Sequence, residues 1–112
     1  MQNTARLVNL TPHDVNIQNL DGTFQTVWRD GTVARVEMIS TPIVRYPLAC
    51  QSFVNVKGKV VGLPEPVFGT IWIVSGMVRE ACPERKDLAS PGELIRTESG
   101  IPTGCKGLVF NI

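Results

Sequence analysis

Residues 69–75, with the sequence GTIWIVS, form the most apolar and most β-branched run of the chain. A short apolar run that begins at a breaker such as Gly69 is typical of a strand that is buried on both faces. We therefore predict that residues 69–75 form the central strand of a sheet.

A short helix is predicted directly after this strand. Ser75 carries a hydroxyl group that can cap a helix, and residues 76–82 place Met77, Val78 and Ala81 where they can face the protein interior. Pro83 cannot continue a helix, because its ring removes a backbone donor and clashes with the preceding turn. This is the only helix that the sequence predicts.

Turn signals divide the first part of the chain into short strands. The Asp-Gly pair at 21–22 predicts a hairpin between residues 15–18 and residues 23–28. A second Asp-Gly pair at 30–31 predicts a turn that joins the latter run to residues 32–39. These runs would form a meander of three or four antiparallel strands.

Proline and glycine also punctuate the middle of the chain. Pro42 and Pro47 exclude a central strand there and indicate an edge strand or a loop. The Lys-Gly pair at 57–58 predicts a hairpin between residues 52–56 and 59–63.

The fold class that follows is all-β or nearly so. Residues 105–112 are predicted to close the chain as a last strand, and a chain of 112 residues has the usual size of one domain. We predict a single β-rich domain over residues 1–112, a small barrel or sandwich of antiparallel strands with one short helix.

Composition excludes several classes of protein. Eleven Lys and Arg residues against ten Asp and Glu residues leave no net field that would attract nucleic acid or a membrane surface. Three cysteines without a CxxC pair predict neither a zinc site nor a disulfide framework, and no cofactor motif is found. No apolar run approaches the ~20 residues that cross a bilayer. We expect a cytoplasmic protein without metal or cofactor.

Six fragments of the sequence occur together in a familiar arrangement. They are VNLTPH at 8–13, GLPEP at 62–66, GTIWIVS at 69–75, RKDL at 85–88, SPGELIR at 90–96 and GCKGL at 104–108. The set resembles a family of small uncharacterised proteins that bacteriophages, prophages and some actinobacteria encode. The resemblance covers most of the chain outside residues 35–55. It implies a phage setting, hence the host cytoplasm, and it implies no mechanism.

His13 is the only histidine and the one candidate for acid–base catalysis, although a weak one. It lies between Pro12 and Asp14, and a neighbouring carboxylate can orient an imidazole or raise its pKa. The alternative is a structural histidine whose ring bonds the backbone of the turn, because adjacent residues of a strand point to opposite faces.

A ligand-binding site is predicted at the start of the helix. Ser75 and Gly76 would offer a hydroxyl group and free backbone N–H groups to an anion such as phosphate, and Arg79, Arg85 and Arg96 could neutralise its charge. The alternative is an ordinary capped helix beside a solvated face, because nearby carboxylates balance the arginines.

The leading functional hypothesis is a non-enzymatic binding protein of phage type. Its partner would be a host macromolecule, such as a protein, or a small anionic ligand that it sequesters, nucleotides included; self-association is left open. One alternative is a small hydrolase or transferase that uses His13, and another is a structural virion or assembly protein. An exposed Trp28 would serve as a stacking platform or as an anchor for a protein contact.

Overall fold

The computed structural model describes residues 4–112, which form two four-stranded sheets, a separate two-stranded hairpin and one short helix. In chain order the elements are β1 (Arg6–Asn9), β2 (Val15–Gln18), β3 (Phe24–Val27), β4 (Arg35–Ile43), β5 (Ser52–Val61), β6 (Thr70–Ile73), α1 (Gly76–Ala81), β7 (Leu88–Pro91), β8 (Leu94–Arg96), β9 (Pro102–Cys105) and β10 (Leu108–Phe110). The nearly all-β sandwich with one short helix is confirmed, and the sheets do not close into a barrel. Residues 1–3 of the predicted domain lie outside the described part.

The first sheet has the strand order β1-β6-β7-β10. Strands β1, β6 and β7 are parallel, and β10 is antiparallel to β7. The central position predicted for residues 69–75 is confirmed, since β6 is paired on both sides and Ile73 and Val74 are fully buried. The parallel pairs differ from the antiparallel expectation, because β1 and β6 are joined by a long connection that contains β2 to β5.

The second sheet has the order β3-β2-β9-β8. The predicted hairpin of β2 and β3 is confirmed, and Gly22 in its turn has a φ of 88°, which a glycine adopts without strain. The predicted meander is wrong, because β3 ends the sheet and β4 pairs with β5 instead. Ala34 donates a backbone hydrogen bond of 3.0 Å to the carbonyl of Leu10 and is buried, so the chain crosses the core before β4 begins.

Strands β4 and β5 form one long antiparallel hairpin, paired from Arg35 with Val61 to Ile43 with Ser52. The turn predicted at the Lys-Gly pair 57–58 is therefore wrong, because β5 runs through it without interruption. A Cβ atom on Gly58 would lie 3.3 Å from the Cβ atom of Glu37, at an irregularity where β5 has one residue more than β4. Gly58 thus permits close packing against that irregularity rather than a turn.

The hydrophobic core has two adjoining clusters. Leu10, Trp72, Val74, Val78, Leu88 and Ala34 form the first, and Val15, Ile17, Ile73 and Cys105 form the second. Helix α1 contributes Val78 to the first cluster and is capped as predicted, because the Ser75 Oγ atom accepts a hydrogen bond of 3.3 Å from the Val78 N–H. With six residues, the one helix within 4–112 is too short to cross a bilayer.

The end of the chain holds the two sheets together. The single strand predicted for residues 105–112 is instead two strands, β9 and β10, separated at residues 106–107. Strand β9 belongs to the second sheet and β10 to the first. The closing segment therefore changes sheets, which the apolar pattern alone does not reveal.

Candidate functional site

A cleft of about 460 Å³ lies at the carboxyl ends of the three parallel strands of the first sheet. Thr11 follows β1, Ser75 follows β6 and Pro91 ends β7, so the first sheet provides one wall. The second sheet provides the opposite wall with the beginning of β2, the beginning of β8 and all of β9. The two sheets thus frame one opening.

The turn that carries the Asn-Leu-Thr-Pro-His motif is held by a buried amide. The Asn9 Nδ2 atom donates hydrogen bonds to the carbonyl oxygens of His13 at 2.8 Å and Val27 at 2.9 Å. The Oδ1 atom of Asn9 accepts a hydrogen bond from the Thr11 N–H at 2.9 Å. With its side chain bonded on both sides, Asn9 stabilises the turn and connects it to β3.

The sequence analysis selected His13 as the functional residue of this motif and did not identify the structural role of Asn9. The available signal was an Asn inside an apolar strand, two residues before a Thr, which is a spacing that favours a side-chain bond to the backbone. The main role of the motif is therefore to stabilise this turn.

His13 lines the cleft and is exposed. Within residues 4–112 the ring nitrogens take part in no hydrogen bond, whereas the His13 carbonyl oxygen is held by Asn9. The Asp14 Oδ1 atom accepts a hydrogen bond of 2.8 Å from the Arg29 N–H, so this carboxylate stabilises the backbone after β3. Hydrogen bonds to the backbone of His13 thus hold this residue at the cleft, and no carboxylate orients its ring.

Ser75 is the residue of the predicted ligand site that lines this cleft. Its hydroxyl group already caps α1 through the Val78 N–H. Gly76 follows it and is half-buried, and a Cβ atom at this position would meet nothing within 4 Å. The local backbone would therefore accept a side chain at Gly76.

Arg79 connects α1 to the strands beside it. Its Nε atom donates a hydrogen bond of 2.8 Å to the Ser90 Oγ atom, and its Nη1 atom donates one of 3.2 Å to the Asn111 Oδ1 atom. The Asn111 amide in turn donates to the Cys82 carbonyl at 2.9 Å. The guanidinium group of Arg79 is occupied in holding the helix, β7 and the end of the chain together.

Arg85 forms an ion pair with two hydrogen bonds to Asp87, at 2.8 and 2.9 Å, and donates a third bond of 3.1 Å to the Pro64 carbonyl. The side chains of Arg85 and Asp87 are 17% and 20% exposed. The hydrogen bond from Arg85 lowers the pKa of Asp87, and that bond likewise raises the pKa of Arg85. The buried Trp72 Nε1 atom has no hydrogen-bond partner in the described part of the chain.

Arg96 is exposed on β8, and its Nη1 atom donates a hydrogen bond of 2.9 Å to the Gly100 carbonyl. It follows Leu94 by two residues, and Leu94 lines the cleft. Side chains two apart on a strand share a face, so Arg96 extends from the wall to which Leu94 belongs. The predicted set is therefore divided: Ser75 lines the cleft, Arg96 is next to its lining, and Arg79 and Arg85 make contacts elsewhere.

Strand β9 lines the cleft with Gly104 and Cys105, among others. Cys105 is 2% exposed, and burial raises the pKa of its thiol, which keeps the group protonated at neutral pH. A Cβ atom on Gly104 would lie 3.0 Å from the carbonyl oxygen of Asn16, so glycine allows β9 to lie close to β2 at this point. In the part of the chain from 4 to 112, no three His, Cys, Asp or Glu residues group as metal ligands.

The lining of the cleft therefore combines apolar residues with a few polar ones, namely Thr11, His13, Asp14, Asn16, Ser75 and Thr103. Comparison with known proteins adds nothing to this geometry, since no protein-family model, curated protein or solved structure matches the chain.

Proposed function

We propose that this chain is a phage-type accessory protein that binds a small anionic ligand in the cleft between its two sheets and leaves it chemically unchanged. The observation that carries the proposal is the cleft itself. Its volume of about 460 Å³ falls within the range of small-molecule sites, roughly 300–1,000 Å³, which also combine apolar walls with a few polar groups.

The rigidity of the walls supports binding. Asn9 fixes the turn that carries His13, and the cap of α1 fixes Ser75. A site whose groups are ordered before the ligand arrives loses less conformational entropy on binding, and this raises affinity.

The polar groups favour a ligand with one anionic group and a less polar body. His13 lines the cleft, and Arg96 lies two residues after the lining residue Leu94 on β8, so both are donors that could meet the anionic group. Val15, Leu94 and Pro102 offer apolar contact to the remainder. Nucleotides, in which a sugar joins a phosphate to a planar base, have this chemistry. Arg79 and Arg85 are bound to other side chains and are left out of this proposal.

Two features support binding over catalysis. The Asp14 carboxylate accepts the Arg29 N–H instead of orienting the His13 ring, and burial raises rather than lowers the pKa of the Cys105 thiol. Activated nucleophiles need an adjacent base or a depressed pKa. A hydrolase or transferase is the second candidate, because His13 and Ser75 line the same cleft.

The experiment is a binding titration by calorimetry and thermal unfolding with ADP-ribose and with linear and cyclic nucleotides. At a ligand concentration of 100 times Kd, binding would stabilise the protein by about 2.7 kcal/mol and raise its Tm by roughly 10 °C. Leu94→Trp should fill the cleft and abolish binding. The matched control is Leu20→Trp, because Leu20 is fully exposed and lies outside the cleft lining.

Chromatography of the ligand after incubation separates the two candidates. Recovery of unchanged ligand supports sequestration, whereas turnover that His13→Ala abolishes would establish the enzyme instead. If no probe raises the Tm, or if Leu94→Trp binds as well as the wild type does, the cleft proposal is wrong.

A further inference from the structure

The β4–β5 hairpin, residues 35–61, projects from the rest of the protein and is called the arm below. The principal extents of the molecule are 64 × 40 × 27 Å, and its radius of gyration is 17.6 Å. A compact domain of this length has a radius of gyration of roughly 13 Å. Val36 and Val60 pack the base of the arm against the first core cluster. Beyond this base, most residues of the arm are exposed on both of its faces.

The near-neutral charge of the whole chain is an average over two unlike parts. Residues 35–61 hold four basic side chains and one acidic side chain, whereas the other residues hold seven basic and nine acidic ones. The one acidic side chain, that of Glu37, lies near the base of the arm, and no Asp or Glu occurs from residue 38 to residue 64. The arm is therefore positively charged, and the rest of the chain has an excess of acidic groups.

The cations of the arm also differ from the other cations in their contacts. Within residues 4–112, six of the seven basic side chains outside the arm form hydrogen bonds or ion pairs, namely Arg29, Arg79, Arg85, Lys86, Arg96 and Lys106. In the same part of the chain, no side-chain hydrogen bond or ion pair is formed by the four cations of the arm, Arg35, Arg45, Lys57 and Lys59. The arm cations are thus available to an anionic partner.

One face of the arm presents an aromatic ring in line with a cation. Phe53, Asn55 and Lys57 are exposed and occupy alternate positions of β5, so they share a face at intervals of about 7 Å. Phe53 is 52% exposed. At the tip of the arm, Tyr46 is 66% exposed and follows Arg45 directly. Each exposed ring therefore has a basic side chain near it along the arm.

Exposed aromatic rings among unpaired cations are typical of surfaces that bind single-stranded nucleic acid. Basic side chains neutralise the phosphate groups, and aromatic rings stack on unpaired bases of any sequence. An acidic protein segment would satisfy the cations but would bring no planar base to Phe53 and Tyr46. The combination of charge and rings thus favours a nucleic-acid strand over an acidic protein.

We propose that the arm binds single-stranded nucleic acid. Bases stack on Phe53 and Tyr46, and Arg45 and Lys57 pair with phosphate groups. Asn55, which lies between Phe53 and Lys57, has an amide that can donate to a phosphate or bond the edge of a base. The acidic excess of the rest of the chain keeps the strand on the arm. The inference goes beyond the proposed function and does not depend on a ligand in the cleft.

The first experiment measures the fluorescence anisotropy of a labelled oligothymidylate of about 16 nucleotides at low ionic strength. Phe53→Ala should weaken binding at least about fivefold, the effect of losing one stacked base. The matched control is Ile39→Ala, because Ile39 is 55% exposed and lies on the opposite face of the arm. It should leave the affinity unchanged. Both variants should unfold at the wild-type temperature, because neither side chain belongs to a core cluster.

Salt dependence tests the role of the cations. The logarithm of the binding constant falls with the logarithm of the salt concentration, with a slope of about −0.7 for each phosphate of a single strand that is neutralised. Lys57→Gln should therefore reduce the magnitude of the slope by about 0.7. Lys106→Gln should leave the slope unchanged, because Lys106 lies outside the arm and pairs with Glu93 at 3.6 Å.

Three comparisons define the ligand and the site. Binding of either oligothymidylate or oligouridylate supports the inference, and their relative affinities tell DNA from RNA. A duplex of the same length should bind more weakly, because its bases are stacked on one another. Leu94→Trp, which fills the cleft, should bind the oligonucleotide as the wild type does.

Absence of binding to both oligonucleotides at low ionic strength would overturn the inference, and so would equal effects of Phe53→Ala and Ile39→Ala. Displacement of the probe by polyglutamate as readily as by unlabelled oligonucleotide would indicate an acidic protein partner instead. Loss of binding in Leu94→Trp would assign the strand to the cleft and would overturn it as well. The proposed function is tested separately, because Phe53→Ala and Lys57→Gln should leave the titration of the cleft with mononucleotides unchanged.

Discussion

The Nδ2 atom of Asn9 donates a hydrogen bond of 2.8 Å to the carbonyl oxygen of His13, and this bond joins the core to the cleft. Asn9 is 1% exposed, whereas the His13 ring lies at the surface. The buried side chain of Asn9 thus determines the position of His13 at the cleft.

Replacement of Asn9 should be strongly destabilising. Asn9→Leu keeps a similar volume but removes the partner of the Val27 carbonyl oxygen and of the Thr11 N–H. The His13 carbonyl oxygen would keep only its hydrogen bond from the Thr11 hydroxyl. An unsatisfied buried polar group costs about 1–3 kcal/mol, so we expect a loss of roughly 3 kcal/mol in the free energy of unfolding, measured by urea titration. The control is Asn55→Leu, because Asn55 is exposed in β5. Equal, small effects of both changes would contradict the role of Asn9.

Local signals in the sequence were sufficient for the elements that local chemistry determines. The Asp-Gly hairpin at 21–22, the apolar strand β6 and the capped helix α1 are all present, and each depends on residues close together in the chain. The hairpin turns predicted from the Asp-Gly pair at 30–31 and the Lys-Gly pair at 57–58 are not formed, because tertiary contacts determine the structure of both segments. Ala34 is drawn into the core, and Gly58 packs against Glu37.

Long-range relationships could not be predicted in this way. The parallel pairing of β1 with β6 joins segments on either side of β2 to β5, and no periodicity encodes it. The predicted arginine site separated for a similar reason. The sequence does not show that its arginines have partners, but Arg79 donates hydrogen bonds to the side chains of Ser90 and Asn111. Only Ser75, next to the strand that was recognised, lines the cleft.

His13→Ala should separate binding from stability. The ring is exposed, so its removal should change the free energy of unfolding by less than about 0.5 kcal/mol. If the ring contacts the ligand, the affinity for the nucleotide that binds best should fall about tenfold, which calorimetry would measure. A large loss of stability with unchanged affinity would show instead that the ring serves the turn.

Acid should weaken the fold partly through Asp87. The hydrogen bond from Arg85 keeps the Asp87 pKa below its ordinary value of 3.8 in the folded state. A carboxyl group whose pKa is lower in the folded state stabilises the protein above the unfolded pKa, and this contribution is lost as the pH falls through the folded pKa. Asp87→Asn should cost about 2 kcal/mol at pH 7 and should reduce the loss of stability below pH 4.

Urea unfolding of the wild type and Asp87→Asn between pH 7 and pH 2 measures this effect. The matched control is Glu98→Gln, which removes an exposed carboxylate from the turn after β8. Parallel pH profiles for the wild type and Asp87→Asn would contradict the assignment of this acid dependence to the Arg85–Asp87 pair.

Two glycine substitutions should have opposite effects on stability. Gly76 begins α1, and a Cβ atom there would meet nothing within 4 Å, so Gly76→Ala should stabilise the protein by about 0.5–1 kcal/mol through helix propensity. Gly62 has a φ of 78°, and a Cβ atom there would overlap the Val33 carbonyl oxygen. Gly62→Ala should therefore cost roughly 2–3 kcal/mol.

Thermal unfolding compares the two variants, and ligand titration of Gly76→Ala tests whether the backbone without a side chain at position 76 is needed for binding. Retained affinity is expected, because the cleft is lined by Ser75 and not by Gly76; a selective loss of affinity would mean that a ligand approaches the start of the helix directly.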